Sequence, residues 1–343
     1  MNRRFFFLLS GFHEELPFAE LRATFDLLDP EYRIVESNGR VVIVETSYKV
    51  ANKIVERTAY TKLSAILLSE TSTDEKEITS SFDTSVLRNF LSPDSRIAVR
   101  GFSYGGASID KNYLEKKLGS KIVEEIPFLR VDLMNPEYII VFIASPERTY
   151  LGILVNVKPK KFFYPRAAGR RPFSIPPAMQ PDLSRCLINL SRTRLGGRIL
   201  DSFAGTGGIM IEGILLGYEV YGVELKKWIA KGALKNLKHF TPSLENIIVG
   251  DARNLMFRRC FDSIVTDPPY GRSTTIPDRS LINLITIFFQ KCGEYLKEGG
   301  CITIVSPEGI HIEDVASSAG YSLREAYRIR VHKNLTRRIT IFS

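Results

Sequence analysis

Three kinds of residue in the second half of the chain are spaced as if for one piece of chemistry. They are the glycines of "DSFAGTGG" (201–208), the acids Glu224 and Asp251, and the stretch "TDPPYG" (266–271). Gly205, Gly207 and Gly208 permit a tight turn and close backbone approach to a ligand. The helix expected after them offers N–H groups to an anionic or carboxylate group. Glu224 stands about twenty residues on, where an acid can take the hydroxyls of a ribose. Asp251 ends the next apolar run, placed to meet an adenine edge. Asp267 precedes Pro268 and Pro269, which remove two backbone donors and fix two φ angles, and Tyr270 and Gly271 follow. A turn needs only a Pro and a Gly; the added acid and aromatic point to a flat group held at a rigid loop. Met210 occupies the third Gly/Ala position of a dinucleotide fingerprint, and hydride transfer has no need of Asp-Pro-Pro-Tyr. A nucleoside cofactor other than NAD is therefore expected.

Each of these residues falls where a predicted strand stops. The strands are "RILDSF", "EVYGVEL", "ENIIVGD", "FDSIVTD" and "CITIVS", with helical segments between most of them. One such segment is "LINLITIFFQKCGEYLK", before Gly299 and Gly300. Two final strands, "SLREAYRIRV" and "LTRRITIFS", join at a turn around Lys333 and Asn334. The pattern predicts an α/β fold with a mostly parallel, doubly wound sheet, whose ligands lie outside the carboxyl ends of the strands.

The N-terminal half reads differently. Residues 1–50 give a small α+β pattern: strands in "RFFFLLS" and "RIVESNGRVVIVET", a hairpin turn at Asn38-Gly39 and a helix in "ELPFAELRATFDLL". Residues 48–92 read as mostly helical. Residues 95–157 hold strands "RIAVRGF" and "EYIIVFIAS" and a helix "KNYLEKKLGSKI" closed by Gly119. Pro159, Pro165, Pro172, Pro176, Pro177 and Pro181 then crowd in, placing a domain boundary near 158–175.

The bulk numbers bound the rest. At 343 residues, 44% hydrophobic and 25% charged, the chain has the composition of a soluble globular protein with room for two domains. The apolar run after Arg3 and Arg4 is too short for a signal peptide, so a cytoplasmic location is expected. Cys186, Cys260, Cys292 and Cys301 form no CxxC pair and read as free thiols, and no metal site is expected. The net charge is +9 and uneven. Residues 1–160 carry 21 basic and 22 acidic side chains, a net of −1, while residues 161–343 carry 26 and 16, a net of +10. The densest piece, "KPKKFFYPRAAGRR" (158–171), interleaves basic residues with Phe162, Phe163 and Tyr164. It suits a phosphate backbone with unstacked bases. It equally suits a solvated linker whose aromatics pack on a neighbouring domain.

"DSFAGTGG…VEL…GDAR…TDPPYG" resembles the class I S-adenosylmethionine-dependent methyltransferases, Rossmann-like folds with a seven-stranded, mostly parallel sheet. Its DPPY variant is typical of enzymes that methylate exocyclic amines of bases. Such an amine is a poor nucleophile, because its lone pair is delocalised into the ring. The resemblance implies that Asp267 and the Pro268 carbonyl accept its two N–H bonds and aim the lone pair at the methyl, and that Tyr270 stacks on a flipped base. "RIAVRGF…LEKKLGSKI…VDLMNPEYIIVFI…YLGI" resembles a THUMP domain, an RNA-binding module of tRNA-modifying enzymes. The combination is similar to the tRNA guanosine-10 N2-methyltransferase family over nearly the whole chain. That likeness includes the pre-sheet segment 170–192 and the terminal "HKNLTRRI", with one departure: Ile175 precedes Pro176 where His-Pro is frequent.

The resemblance implies a ferredoxin-like subdomain at 1–50, a THUMP domain at 51–157, a basic linker at 158–175 and a methyltransferase domain at 176–343. It implies S-adenosylmethionine as cofactor, bound by Asp201, Phe203, Ala204, Gly205, Gly207, Glu224, Asp251 and Asp267, with Met179 as a packing contact. Asp267, Pro268 and Tyr270 would be catalytic. Lys111, Lys116, Lys117 and Lys121 would form an RNA-binding patch. Lys160, Lys161, Arg170, Arg171, Lys333 and Arg337 are further RNA candidates. The expected reaction makes N2-methylguanosine at position 10 of tRNA, with a second methylation left open. The alternatives are another tRNA or rRNA guanosine, a DNA amino-methyltransferase lacking its target-recognition domain, and a non-catalytic RNA-binding protein of the same fold. Some family members work with a small zinc-binding activator subunit.

Overall fold

The computed structural model describes residues 3–176, 178–241, 246–255, 257–269, 281–332 and 335–343. The chain divides into two compact units: Met1–Gly11, Glu31–Glu56 and Thr61–Lys158 form one, and Phe12–Pro30, Arg57–Tyr60 and Pro159–Ser343 the other.

The first unit is built on one eight-stranded sheet. Its strands are β1 (Arg3–Leu9), β2 (Arg33–Asn38), β3 (Val41–Thr46), β4 (Thr61–Ser72), β5 (Arg96–Ser103), β6 (Arg130–Val131), β7 (Tyr138–Ala144) and β8 (Arg148–Val157), in the order β2-β3-β1-β4-β8-β7-β5-β6. β2 and β3 form the expected hairpin, with Gly39 at φ 55°. Strands from both sides of the expected 50/51 boundary pair in this one sheet, because β4 joins β1 to β8. β4 also corrects the helical reading of 48–92. Its apolar run "LSAILL" fits either element by periodicity, and pairing on both edges makes it a strand. α1 (Leu16–Leu28) belongs to the second unit, while α2 (Tyr48–Arg57), α3 (Glu75–Ser81) and α4 (Lys111–Glu125) follow in chain order. α4 runs through Gly119 instead of ending there; the residue is buried within the helix and facing β5.

In the second unit α1 is followed by α5 (Pro181–Leu190), β9 (Arg198–Asp201), α6 (Gly208–Leu215), β10 (Glu219–Glu224), α7 (Lys227–Phe240), β11 (Ile247–Val249), β12 (Phe261–Thr266), α8 (Leu281–Tyr295), β13 (Leu296–Pro307), α9 (Ile312–Ser318), β14 (Leu323–His332) and β15 (Leu335–Phe342). The sheet order is β11-β10-β9-β12-β13-β15-β14, with β9 to β13 parallel and β15 antiparallel to both its neighbours. Successive residues of one strand feed opposite cores, as a period of two requires. Ile199, Val265, Val305 and Ile341 face α1, α5 and α6. Leu200, Ile264, Ile304 and Phe342 face α8 and α9. Both faces are covered, so the strands read as apolar runs without alternation.

α1 contributes Leu16, Ala19 and Ala23, one helical face, to the first of these cores, together with Ala59 and Tyr60. Glu20 on the same face is fully buried. Its carboxylate accepts the amides of Ala59 (2.6 Å) and Tyr60 (2.9 Å) and the side-chain amide of Asn189 on α5 (2.7 Å). The N-terminal fifty residues are thus divided between the two units. The four cysteines are free thiols, three buried and Cys260 half-buried. No helix among the described residues is long and apolar enough to cross a membrane.

Candidate active site

The carboxyl ends of β9, β10 and β12 bring the marked residues together. β9 ends at Asp201, which is 1% exposed. Its Oδ1 accepts the Thr266 hydroxyl at 2.8 Å and the Phe203 amide at 3.3 Å, and that amide also donates to Thr266 Oγ1 at 3.1 Å. Burial pushes the Asp201 carboxyl up to about 7, against the stabilising bonds of Thr266 and Phe203, and the nearby charges of Asp267 and Glu224 add to the rise. Asp201, expected among the cofactor ligands, therefore turns inward. It ties the end of β9 to the end of β12. Phe203 is half-buried, its ring 5.7 Å from that of Phe288.

The glycine loop follows. Gly205 has φ 50°, and Gly207, at φ 81°, caps the N-terminus of α6. The Ala204 amide donates to the Val223 carbonyl at 2.8 Å. Glu224 accepts the amide of Gly205 through Oε2 (3.1 Å) and that of Lys226 through Oε1 (2.9 Å). Each carboxylate oxygen is thereby aimed by one backbone bond and keeps a second lone pair for a ligand hydroxyl. A Cβ on Gly205 would meet nothing nearer than the Phe203 carbonyl at 4.0 Å. That open side, with a carboxylate beside it, fits a nucleoside that carries a ribose and a cationic centre. Asp251 is engaged by Arg253 (Nη2 to Oδ2, 2.7 Å), which holds its carboxyl below the usual range.

The segment before the sheet is fastened to this loop. Arg171, expected at an RNA surface, is 6% exposed. It donates to the carbonyls of Arg166 (3.1 Å) and Met179 (3.0 Å) and to the Thr206 hydroxyl (3.4 Å). Its five-donor fork serves as an internal clamp. Asn236 on α7 bonds both the amide and the carbonyl of Phe173 and donates to the Thr206 carbonyl. Arg166 Nε of the basic segment (2.6 Å) and Arg185 Nε of α5 (2.8 Å) both donate to Glu212 on α6, which is fully buried. Phe162 and Phe163 lie against both guanidiniums, 5.1–5.5 Å from ring centroid to carbon. These aromatics pack within the protein, while Lys160, Lys161 and Arg170 remain exposed, Arg170 over the Tyr164 ring at 3.7 Å.

Asp267 and Pro268 follow directly on β12, Asp267 half-buried and Pro268 buried. Arg337, the other basic residue expected at a surface, is 5% exposed and points Nη1 at Asp267 Oδ2, 3.5 Å away. Tyr270, Gly271 and Lys333 lie outside the described residues. Lys111, Lys116 and Lys117 are exposed on α4. Lys121 folds back onto the carbonyls of Thr79 (2.7 Å) and Phe82 (2.8 Å), so its ammonium caps a helix end. Thr266, Asn236 and Glu212 escaped the sequence reading. Of these only Thr266 had a signal, its place immediately before Asp267.

The sequence and the fold have known counterparts. Residues 168–339 match the UPF0020 family, an RMKL-like methyltransferase domain. The chain is 31% identical over 335 residues to the tRNA (guanine(10)-N2)-dimethyltransferase of Methanothermobacter thermautotrophicus, with 97% of each chain covered. The enzyme of the same name from Pyrococcus abyssi is 36% identical over 230 residues, 65% of this chain and 67% of that one. Among solved structures, TrmN from Thermus thermophilus shares the fold, with TM-score 0.57 at 19% identity and 99% of both chains covered. Sharing its whole length with the first of these relatives and its second half with the methyltransferase domain, the chain belongs to the tRNA (guanine(10)-N2)-dimethyltransferase family.

Proposed function

We propose that the protein transfers methyl groups from S-adenosylmethionine to the exocyclic N2 of guanosine 10 in tRNA. The observation that carries this is the convergence of the glycine loop, Glu224 and Asp267-Pro268 at one edge of the sheet, in a chain matched end to end by a relative of that name. The name of that relative, a dimethyltransferase, supports a second transfer to the same nitrogen.

The cofactor, when bound, supplies the electrophilic methyl of its sulfonium. Glu224 takes the ribose hydroxyls on the lone pairs left by Gly205 and Lys226. Asp251 takes the adenine amine, sharing its carboxylate with Arg253. Asp267 accepts one N2–H of the guanine and the Pro268 carbonyl the other. Together they localise the nitrogen lone pair, which is otherwise spread into the ring. N2 would take the methyl of a bound cofactor, whose sulfonium leaves as a neutral thioether, and Asp267 would receive the proton that N2 loses. The two prolines fix this geometry before the base arrives, so little reorganisation remains.

We place tRNA binding on the first unit, read as a ferredoxin-like subdomain and a THUMP domain. The exposed Lys111, Lys116 and Lys117 on α4 support that reading.

A site-resolved assay tests the proposal. Purified chain is incubated with labelled S-adenosylmethionine and a tRNA transcript carrying G10 or A10, followed by digestion and mass spectrometry. N2-methylated guanosine from the first transcript alone is the expected result. Label persisting in the A10 transcript would move the target to another guanosine. A chain inactive alone and active in extract would point to an activator subunit. Asp267→Ala is expected to abolish transfer; transfer at the wild-type rate by that variant would refute the assigned role.

A further inference from the structure

β15 runs against the other strands of its sheet, so its first residues lie at the carboxyl ends of the parallel strands. Arg337 registers with Pro307, the last residue of β13. That puts it three residues beyond Ile304, which pairs with Thr266 at the end of β12, on the side where Asp267 begins the catalytic loop. The strand's period of two sets the direction of its side chain. Arg337 shares a face with the fully buried Ile339 and Ile341, while Arg338 takes the other and pairs with Glu313 at 2.6 Å. Burying a guanidinium is costly without a charge to meet it. Arg337 meets Asp267, with Nη1 at 3.5 Å from Oδ2. Three carboxylates converge here from three strand ends: Asp267 after β12, Asp201 on β9 and Glu224 on β10. Burial is the main reason the Asp201 carboxyl is raised, and the charges of Asp267 and Glu224 add to it.

We infer that Arg337 is a positioning residue of the reaction, holding Asp267 ionised by engaging Oδ2. The inference rests on the proposed reading of Asp267 as the group that accepts the N2–H. Without Arg337 the carboxylate loses the cation facing Oδ2. It then binds a proton at higher pH and can no longer accept one from the amine.

The test compares wild type with Arg337→Gln and Arg337→Lys. For each, kcat and KM for tRNA are measured across pH, and the Asp267 carboxyl is titrated by carbon-13 NMR, assigned with Asp267→Asn. Arg337→Gln is expected to lower kcat about 100-fold at neutral pH, as loss of one aimed charge at a reacting group does. KM for tRNA should be little changed. The acid limb of the rate profile and the Asp267 titration should both move up by about 1–3 pH units. Arg337→Lys should restore most of kcat and of the titration. Should Arg337→Gln fail to fold, Arg337→Met keeps the apolar stem and carries the same expectation. The wild-type titration also decides by itself: an Asp267 that titrates above an ordinary aspartate overturns the inference. So does a variant whose defect lies in KM alone, or whose rate falls equally at every pH. A wild-type chain that methylates no guanosine would overturn the functional reading, and the titrations would still decide whether Arg337 holds Asp267.

Discussion

Asp201, Thr266 and Phe203 form the bond network that sets the relative position of the glycine loop and the catalytic loop. A buried carboxyl raised to about 7 stands well above the roughly 3.9 of an unfolded aspartate. The folded state therefore binds the proton more tightly. The stability this gives is complete below about pH 4 and is lost as pH rises through about 7. Asp201→Asn keeps the acceptor oxygen and removes the titration. Denaturant unfolding at a series of pH values should show the wild type losing stability relative to this variant between about pH 4 and 7. A constant difference between the two across that range would show that Asp201 does not titrate there. The carboxyl of Asp251 has the opposite sense, because Arg253 holds it low. Taking the difference between wild type and variant removes that background.

At the scale of elements, the packing of α6 on β10 answers the problem posed by Met210. A dinucleotide loop uses its third glycine to let helix and strand approach closely. Here the large residue stays on the helix and the space is made on the strand, at Gly222. A Cβ on Gly222 would stand 2.2 Å from Met210 Sδ and 2.9 Å from the Ala204 Cβ. Gly222→Ala should destabilise the protein by about 1–3 kcal/mol through overpacking and loosen cofactor binding. Adding Met210→Ala should recover part of the loss, as coupled neighbours do. Thermal unfolding of the two single variants and the double would measure this, and strict additivity would contradict the packing account. β15 shows the same dependence on partners. Its basic residues read as a surface from the sequence, yet the antiparallel pairing with β13 carries Arg337 inward to Asp267.

At the scale of the molecule, the units do not follow the order of the chain. Residues 12–30 and 57–60 belong to the second unit, and Glu20 joins them to α5 through three bonds. A fragment of residues 158–343 would therefore leave open the surface that Leu16, Ala19, Ala23, Ala59 and Tyr60 cover. Each large apolar side chain left uncovered forfeits about 1.5–3 kcal/mol. The fragment is expected to unfold at a lower temperature than the full chain, or to aggregate on gel filtration. A fragment that melts with the full chain would show that α1 contributes little. The basic segment is tied to the same unit by Arg166, which pairs with the buried Glu212 beside Arg185 of α5. It is therefore more than a solvated connector.

The sequence by itself determined the second unit's architecture and the edge where its chemistry lies. Strand ends are marked by local residues: glycines that only a turn needs, acids that follow apolar runs, and a Pro-Pro that no strand interior accepts. Those signals survive without knowledge of any partner. Only the tertiary structure decided which charged residues reach the site and which element belongs to which core. Arg171 and Arg337 look like surface charges in a list of residues, because burial of a guanidinium depends on an acceptor distant in the chain. Thr206 is such an acceptor for the first and Asp267 for the second. The same holds for α1, whose apolar face is plain in the sequence. What it covers depends on contacts with residues more than a hundred positions away, and no local pattern encodes those.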